Sequence, residues 1–157
     1  MKALKSLSNM EKRFNGKPMK NDSEYVWDVY EETPKMPTYS LAFAVLSEHS
    51  SVETRIKNKT FRTWTFEENT NVNGYDDHLL NLNYTSSFYF FYENYFNLPD
   101  VLTKIDSLDS TAGTAGAMEG WGLTIYFEGL LNSQKTIAHE LAHYWFGNRV
   151  TMKNWKK

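Results

Sequence analysis

The sequence predicts an α+β fold, because strand signals come first along the chain and helix and strand signals are mixed later. Three observations support this prediction. Apolar and β-branched segments recur between residues 25 and 66, an aromatic stripe with helical spacing occupies residues 76–96, and a strand candidate at 121–127 precedes a capped helix candidate. At 157 residues, one domain with a sizeable core is the default expectation.

The first 66 residues contain three strand candidates. In residues 25–30 the side chains alternate along Y-V-W-D-V-Y, which is typical of a strand. In residues 39–46 the side chains on both faces of the strand are largely apolar, so we expect this strand to be buried on at least one face. Residues 61–66 (F-R-T-W-T-F) form the third candidate. Residues 69–74 have the composition of a loop.

Residues 76–96 carry signals for both helix and strand. Tyr84, Phe88, Phe91 and Tyr95 fall at i, i+4, i+7 and i+11, which places them on one side of a helix. The local aromatic and β-branched composition favours a strand. The length and the spacing favour the helix, and we expect the aromatic stripe to pack in the core.

The last third of the chain begins with small residues at 111–116 and continues with a strand candidate at 121–127. Ser133 is a suitable N-cap for a helix that runs to Phe146, and Gly147-Asn148 supplies a stop signal.

Composition excludes several kinds of site. Lys and Arg number 17 against 19 Asp and Glu, so the net charge of −2 gives no basic field for nucleic acid. Cysteine is absent, so a metal site must use His, Asp and Glu. The apolar runs are too short to span a bilayer, and no apolar segment after Met1 resembles a signal peptide.

Residues 139–143 read H-E-L-A-H within the predicted helix. Two histidines at i and i+4 project from the same face and can reach one Zn²⁺ ion. Glu140 lies next to the first histidine and can take a proton from a water that such an ion activates. The chance of this three-residue pattern in a chain of this length is on the order of 2%. We expect His49 and His78 to be surface or packing residues.

The surrounding sequence carries a family resemblance. Residues 136–152 (T-I-A-H-E-L-A-H-Y-W-F-G-N-R-V-T-M) closely resemble the zinc aminopeptidases of the aminopeptidase N type, which are gluzincin metallopeptidases. Residues 116–123 (G-A-M-E-G-W-G-L) resemble the exopeptidase signature G-A-M-E-N-W-G-L of that family. Weaker matches at residues 6–10 and 27–36 keep the same order along the chain.

The resemblance implies a β-rich domain over residues 1–66, followed by a thermolysin-like catalytic domain over 67–157. It implies that His139 and His143 bind one Zn²⁺ ion and that Glu140 is the general base. Glu119 would bind the free α-amine of a peptide substrate, while Gly116 and Ala117 would line the substrate site with their backbones.

The chain departs from the family pattern in ways that bear on activity. The family's third zinc ligand, a Glu in a W-L-N-E segment, and its oxyanion-stabilising Tyr have no counterpart within the 157 residues. Gly120 replaces the Asn of the signature, the spacer between Glu119 and His139 is short, and residues 106–111 are polar where the family has an apolar strand. We therefore expect a truncated aminopeptidase with weak or no activity.

Two alternatives stay open at this point. The chain could be a non-catalytic peptide-binding or structural remnant of the family, or an incomplete gene model of an ordinary enzyme. Three N-x-S/T sequons at Asn21, Asn58 and Asn83, together with the resemblance, suggest an extracellular or membrane-associated parent protein, although chance also explains such short motifs.

Overall fold

The computed structural model describes residues 4–66, 72–110, 116–127 and 129–154. Within these ranges the chain forms mixed and antiparallel sheets together with two α-helices, so the α+β prediction is confirmed. Most of the small-residue segment at 111–116 lies outside the described residues.

The N-terminal part of the chain forms two small antiparallel sheets. Strand β1 (Lys5–Ser8) pairs with β4 (Phe43–Leu46), and β2 (Lys12–Met19) pairs with β3 (Asp22–Tyr30). A short 3-10 turn, Thr38–Ser40, precedes β4. The predicted strand at 39–46 is therefore shorter than expected, because its first residues form this turn.

The remaining strands form one five-stranded sheet in the order β5-β6-β7-β9-β8. These strands are β5 (His49–Ile56), β6 (Lys59–Phe66), β7 (Lys104–Ser110), β8 (Ala117–Met118) and β9 (Leu123–Phe127). The inner pairs β6–β7 and β7–β9 are parallel, whereas β5 and β8 run antiparallel to their neighbours. Helix α1 (Val72–Phe96) makes the crossover between β6 and β7 that parallel pairing requires.

Each face of this sheet is covered. Helix α1 and helix α2 (Gln134–Ala142) pack on one face around Phe61, Tyr89 and Tyr126. Leu7 and Leu46 of the β1–β4 sheet meet Trp64, Leu108 and Leu123 on the other face. The sheet draws strands from both sides of position 66/67, where the sequence placed a domain boundary, and that boundary stays a prediction.

Strand β7 is buried despite its polar sequence. Asp106 and Ser107 are 2% and 1% exposed, and Lys104 is 2% exposed. The Lys104 ammonium lies 2.9 Å from the Asp106 carboxylate and donates to the backbone carbonyls of Ser8 and Gly122. Pairing and hydrogen bonds therefore let charged groups occupy the middle of the sheet.

The aromatic stripe of α1 packs in the core only in part. Tyr84 and Phe88 are partly buried and pack against the core cluster, whereas the second half of the stripe lies at the surface. Phe91 and Tyr95 are 57% and 71% exposed, and their rings stack on each other at the surface with centroids 5.8 Å apart. The buried face instead contains Leu82 and Tyr89, together with polar residues such as Thr85. A hydrogen bond from Thr63 Oγ1 to Asn81 Oδ1 (2.9 Å) shows how polar groups are accommodated there.

The ends of the two helices and the surroundings of His49 and His78 can also be compared with the predictions. Helix α1 begins at Val72, inside the segment 69–74 that was predicted as a loop, whose first residues lie outside the described ranges. Helix α2 ends at Ala142 and not at Phe146. His49 packs on Trp64, and His78 is buried, which lowers its pKa, so both act as packing residues.

Candidate metal centre

Helix α2 carries the histidine motif and begins as the sequence predicts. Ser133 is the N-cap, and its Oγ accepts a hydrogen bond from the Thr136 backbone N–H. Ile137 and Leu141 are buried toward the sheet, which fixes the rotation of the helix. His143 is the C-cap residue with α-helical torsion angles, so the i, i+4 relation to His139 is kept.

The two histidines meet through their Nε2 atoms, which lie 3.2 Å apart. Two nitrogens bound at about 2.05 Å to one tetrahedral zinc ion lie about 3.3 Å apart. The observed spacing therefore fits a shared ion. His139 is exposed and His143 is half-buried, so the pair is open to solvent.

The second ring nitrogen of His143, Nδ1, holds the ring in place. Nδ1 lies 3.0 Å from the Phe146 carbonyl oxygen, which can only accept, so Nδ1 carries the proton. This tautomer leaves the lone pair of Nε2 free for a metal, an arrangement found in metal-binding histidines. Gly147 (φ +120°) allows the close turn, because a Cβ at this position would lie 3.3 Å from His143 Nδ1.

A complete zinc site needs more than these two ligands. Among residues 4–66, 72–110, 116–127 and 129–154, no group of three His, Asp or Glu side chains could hold a metal ion. The donor set thus fits zinc in type and spacing, but the described residues supply only two ligands.

Glu140 is buried beside the histidines, with 5% of its surface exposed. Burial raises the pKa of Glu140 to about 7, with a further increase from the Glu119 carboxylate, while His143 acts in the opposite direction. Desolvation disfavours the charged carboxylate, so this side chain is suited to accept a proton near neutral pH.

Glu119 and His143 line one cavity of about 490 Å³. Its wall is mainly apolar and includes Tyr39, Phe146, Gly147, Val150, Thr151 and Met152. Glu119 follows strand β8, which packs against α2, so the sheet edge brings this carboxylate next to the histidine helix. A carboxylate in such a cavity can bind an ammonium group by a charge-assisted hydrogen bond.

Gly116 and Ala117 are not among the residues that line this cavity. Gly116 (φ +88°) accepts a hydrogen bond from the Phe127 N–H, and Ala117 packs against the core. Gly120 lies in a tight turn, where a Cβ would stand 2.2 Å from the Leu123 carbonyl oxygen and 2.6 Å from Ala42 Cβ. The turn in this chain therefore has no room for the Asn that the family signature carries.

Three buried polar residues behind the site were not singled out from the sequence. Asn148, which the sequence suggested only as a helix stop, donates to the Glu119 carbonyl and accepts from Ser40. Asn9 donates to the carbonyls of Ser40 and Trp121. No local pattern marks Asn9 or Ser40, because their partners lie 31 to 112 positions away.

Comparisons with known proteins show which family this chain resembles. The profile of the "Peptidase family M1 domain" matches residues 80–157. Bovine (Bos taurus) aminopeptidase N is 38% identical over 169 aligned residues, covering 98% of this chain and 17% of the relative. Human aminopeptidase N is 36% identical with the same coverage, and human aminopeptidase Q is 35% identical over 96% of this chain and 16% of its own length.

The chain spans about one sixth of the length of these curated relatives. None of the helices in the described part of the chain has the length and apolar character needed to cross a membrane.

Proposed function

Because the chain belongs to peptidase family M1, we propose that it carries part of a zinc aminopeptidase site, which removes N-terminal residues from peptides. The observation that supports this most directly is the 3.2 Å spacing of the His139 and His143 Nε2 atoms beside the buried Glu140. A zinc ion held there would polarise a peptide carbonyl and make a water molecule more acidic.

The remaining roles follow from the positions of the side chains. Glu140 takes a proton on its carboxylate and later returns it to the leaving amine. Glu119 binds the substrate's free α-ammonium group across the cavity from His143, which selects peptides with an unblocked N-terminus. The substrate-lining role proposed for the Gly116 and Ala117 backbones applies outside this cavity, because neither residue lines it.

We further propose that the 157-residue polypeptide alone is weakly active or inactive. The described residues supply two zinc ligands, so the metal is held loosely. The family's oxyanion-stabilising Tyr has no counterpart here, and the loss of one such donor costs about 10²–10³ in rate. These losses affect metal binding and transition-state stabilisation separately, so they compound.

An assay with two matched substrates tests the proposal. Aminoacyl chromogenic amides and their N-acetylated twins are offered to the 157-residue chain and to the same chain extended by a family-type W-L-N-E segment and the rest of the catalytic domain. We expect activity in the extended protein, on the free-amine substrate only. Robust turnover by the shorter chain would contradict the weak-activity proposal, and equal turnover of both substrates would contradict the role of Glu119.

A non-catalytic peptide-binding protein is the second candidate. The two-ligand metal site and the Gly120 turn favour it, because both depart from the pattern of an active enzyme. This candidate requires free-amine peptides to bind without turnover in the extended protein as well. Sequencing beyond the codon for Lys157 separates the two, since an in-frame W-L-N-E segment favours the enzyme.

We also propose that the parent protein is extracellular or membrane-associated. Asn21 and Asn58 are exposed at the turns of the β2–β3 and β5–β6 hairpins, and Asn83 is exposed on α1. The asparagines of all three sequons are therefore exposed residues. Expression in a secretory host should give glycosidase-sensitive protein, and protein without any glycan would contradict this proposal.

A further inference from the structure

One buried side chain joins the two sides of the candidate site. Asn148 is 2% exposed, and its backbone N–H donates to the His143 carbonyl oxygen at 3.0 Å. Its side-chain Nδ2 donates to the Glu119 carbonyl oxygen, also at 3.0 Å. A single residue thus fixes the distance between the backbone of a candidate metal ligand and that of the candidate amine-binding residue.

The Glu119 carbonyl determines which way the Asn148 amide faces, and Ser40 binds its other end. The Ser40 hydroxyl, which is fully buried, lies 2.5 Å from Asn148 Oδ1 and donates to it. An amide has one accepting and one donating end. Because the Glu119 carbonyl can only accept, the donating end of Asn148 must face it, and the Ser40 hydroxyl then donates to the accepting end.

The turn that follows Glu119 is tied to the same serine. The Trp121 N–H donates to the Ser40 carbonyl at 3.2 Å, and Asn9 Nδ2 donates to the carbonyls of both Ser40 and Trp121. Asn9 Oδ1 in turn accepts from the Ala42 N–H at 2.9 Å. The backbone from Glu119 to Trp121 is therefore held by a buried network of Asn148, Ser40 and Asn9.

From this network, and resting on the amine-binding role proposed for Glu119, we infer that Asn148 is a positioning residue. It holds the Glu119 backbone, and through it the carboxylate, in register with His143, and Ser40 anchors the other end of the Asn148 amide. A displacement of about 1 Å at a binding group can cost about 10²-fold in a reaction that depends on it. Loss of the Asn148 contact should therefore weaken recognition of the substrate amine more than it weakens the fold.

The test uses Asn148→Asp in the 157-residue chain. Aspartate has nearly the same shape and keeps the acceptor for Ser40, but it offers no N–H to the Glu119 carbonyl. Leucine amide and N-acetyl-leucine amide are titrated into each protein, and binding is followed by NMR. We expect the wild-type preference for the free amine to fall at least tenfold, while zinc affinity stays near its original value because the backbone bond to His143 remains.

Asn81→Asp is the matched control. Asn81 is also fully buried, accepts from Thr63 Oγ1 and donates from Nδ2 to the Leu131 carbonyl at 2.6 Å. The substitution removes the same kind of hydrogen bond away from Glu119. It should lower the melting temperature and leave the ratio of the two affinities unchanged.

Ser40→Ala gives a second measurement if Asn148→Asp does not fold. It removes only the hydroxyl that anchors Asn148 Oδ1, and it should reduce the preference for the free amine. If the folded Asn148→Asp or Ser40→Ala protein keeps the wild-type preference for the free amine, the inference is overturned. An equal loss of that preference in Asn81→Asp would also overturn it. Wild-type protein without any preference would instead contradict the role of Glu119, and the inference would fall with it.

Discussion

Lys104 and Asp106 lie two positions apart on one strand of the sheet, and their ammonium and carboxylate groups are 2.9 Å apart with almost no exposure to solvent. Arg62 on the neighbouring strand approaches the same carboxylate at 3.7 Å. Burial raises the pKa of Asp106, and the two cations oppose this increase. The carboxylate therefore depends on its cationic neighbours to remain charged.

Lys104→Met should destabilise the protein by about 3–5 kcal/mol at pH 8, because it leaves a buried carboxylate without its nearest partner. The pKa of Asp106 then rises further, so the folded state takes up a proton that the unfolded state does not hold. Stability lost at high pH should return as the pH falls toward 5. Urea unfolding at both pH values measures this, with Lys12→Met, which removes a more exposed ion pair, as the control. A pH-independent effect would contradict the explanation.

The zinc ligands can be tested separately from catalysis. His139→Ala and His143→Ala should each abolish measurable zinc binding, since each removes half of a two-nitrogen site. Glu140→Gln should leave zinc affinity nearly unchanged, because Glu140 is proposed to act on a proton and not on the metal. His49→Ala, which alters a histidine packed on Trp64, is the matched control. Competition with a chelator measures the zinc affinity of each variant. If only Glu140→Gln lost zinc, the assignment of the two histidines as ligands and Glu140 as proton acceptor would be reversed.

Gly120→Ala should destabilise the fold by about 3 kcal/mol or more, because its Cβ would overlap the Leu123 carbonyl and Ala42. Gly129→Ala is the control: its φ of +75° costs about 1–2 kcal/mol, but no atom lies within 4 Å of the added Cβ. Gly120→Asn should be worse than Gly120→Ala. Thermal unfolding measures the relative stability of the three variants. If Gly120→Asn stabilised the protein, the turn could accept the family's residue.

The two faces of α1 should respond differently to truncation. Tyr89 is fully buried and its ring contacts Phe61 and Trp145, so Tyr89→Ala should cost about 3–5 kcal/mol. Phe91 is more than half exposed, and Phe91→Ala should cost less than about 1 kcal/mol. Chemical denaturation compares the two. Similar losses would mean that the exposed stripe contributes to the core after all.

The sequence predicted those features that depend on local geometry. The i, i+4 spacing of His139 and His143 brings the two rings together because both lie on one turn of helix, and Ser133 caps that helix as expected. Strand 61–66 and the helix at 76–96 also followed from periodicity and length.

The features that the sequence did not predict depend on partners far along the chain. The buried face of α1 includes Asn81 and Thr85, whose polarity is offset by hydrogen bonds, so hydrophobicity located that face only in part. The sequence did not predict the hydrogen-bond network around Asn148 for the same reason. A polar residue reveals its role only once the segment that supplies its hydrogen bond is known.

The bonds from Asn9 have a consequence for the order of folding. Asn9 donates to Trp121, which is 112 positions later, and Lys104 donates to Ser8, 96 positions earlier. At a synthesis rate of about 5–20 residues per second, Asn9 leaves the ribosome about 6–22 s before Trp121 does. For most of that interval β1 lacks the strand that carries Lys104, and for all of it β1 lacks the Trp121 carbonyl that accepts from Asn9. The N-terminal strands therefore depend on late-synthesised residues for their final packing, and this nascent segment is where a chaperone would be most useful.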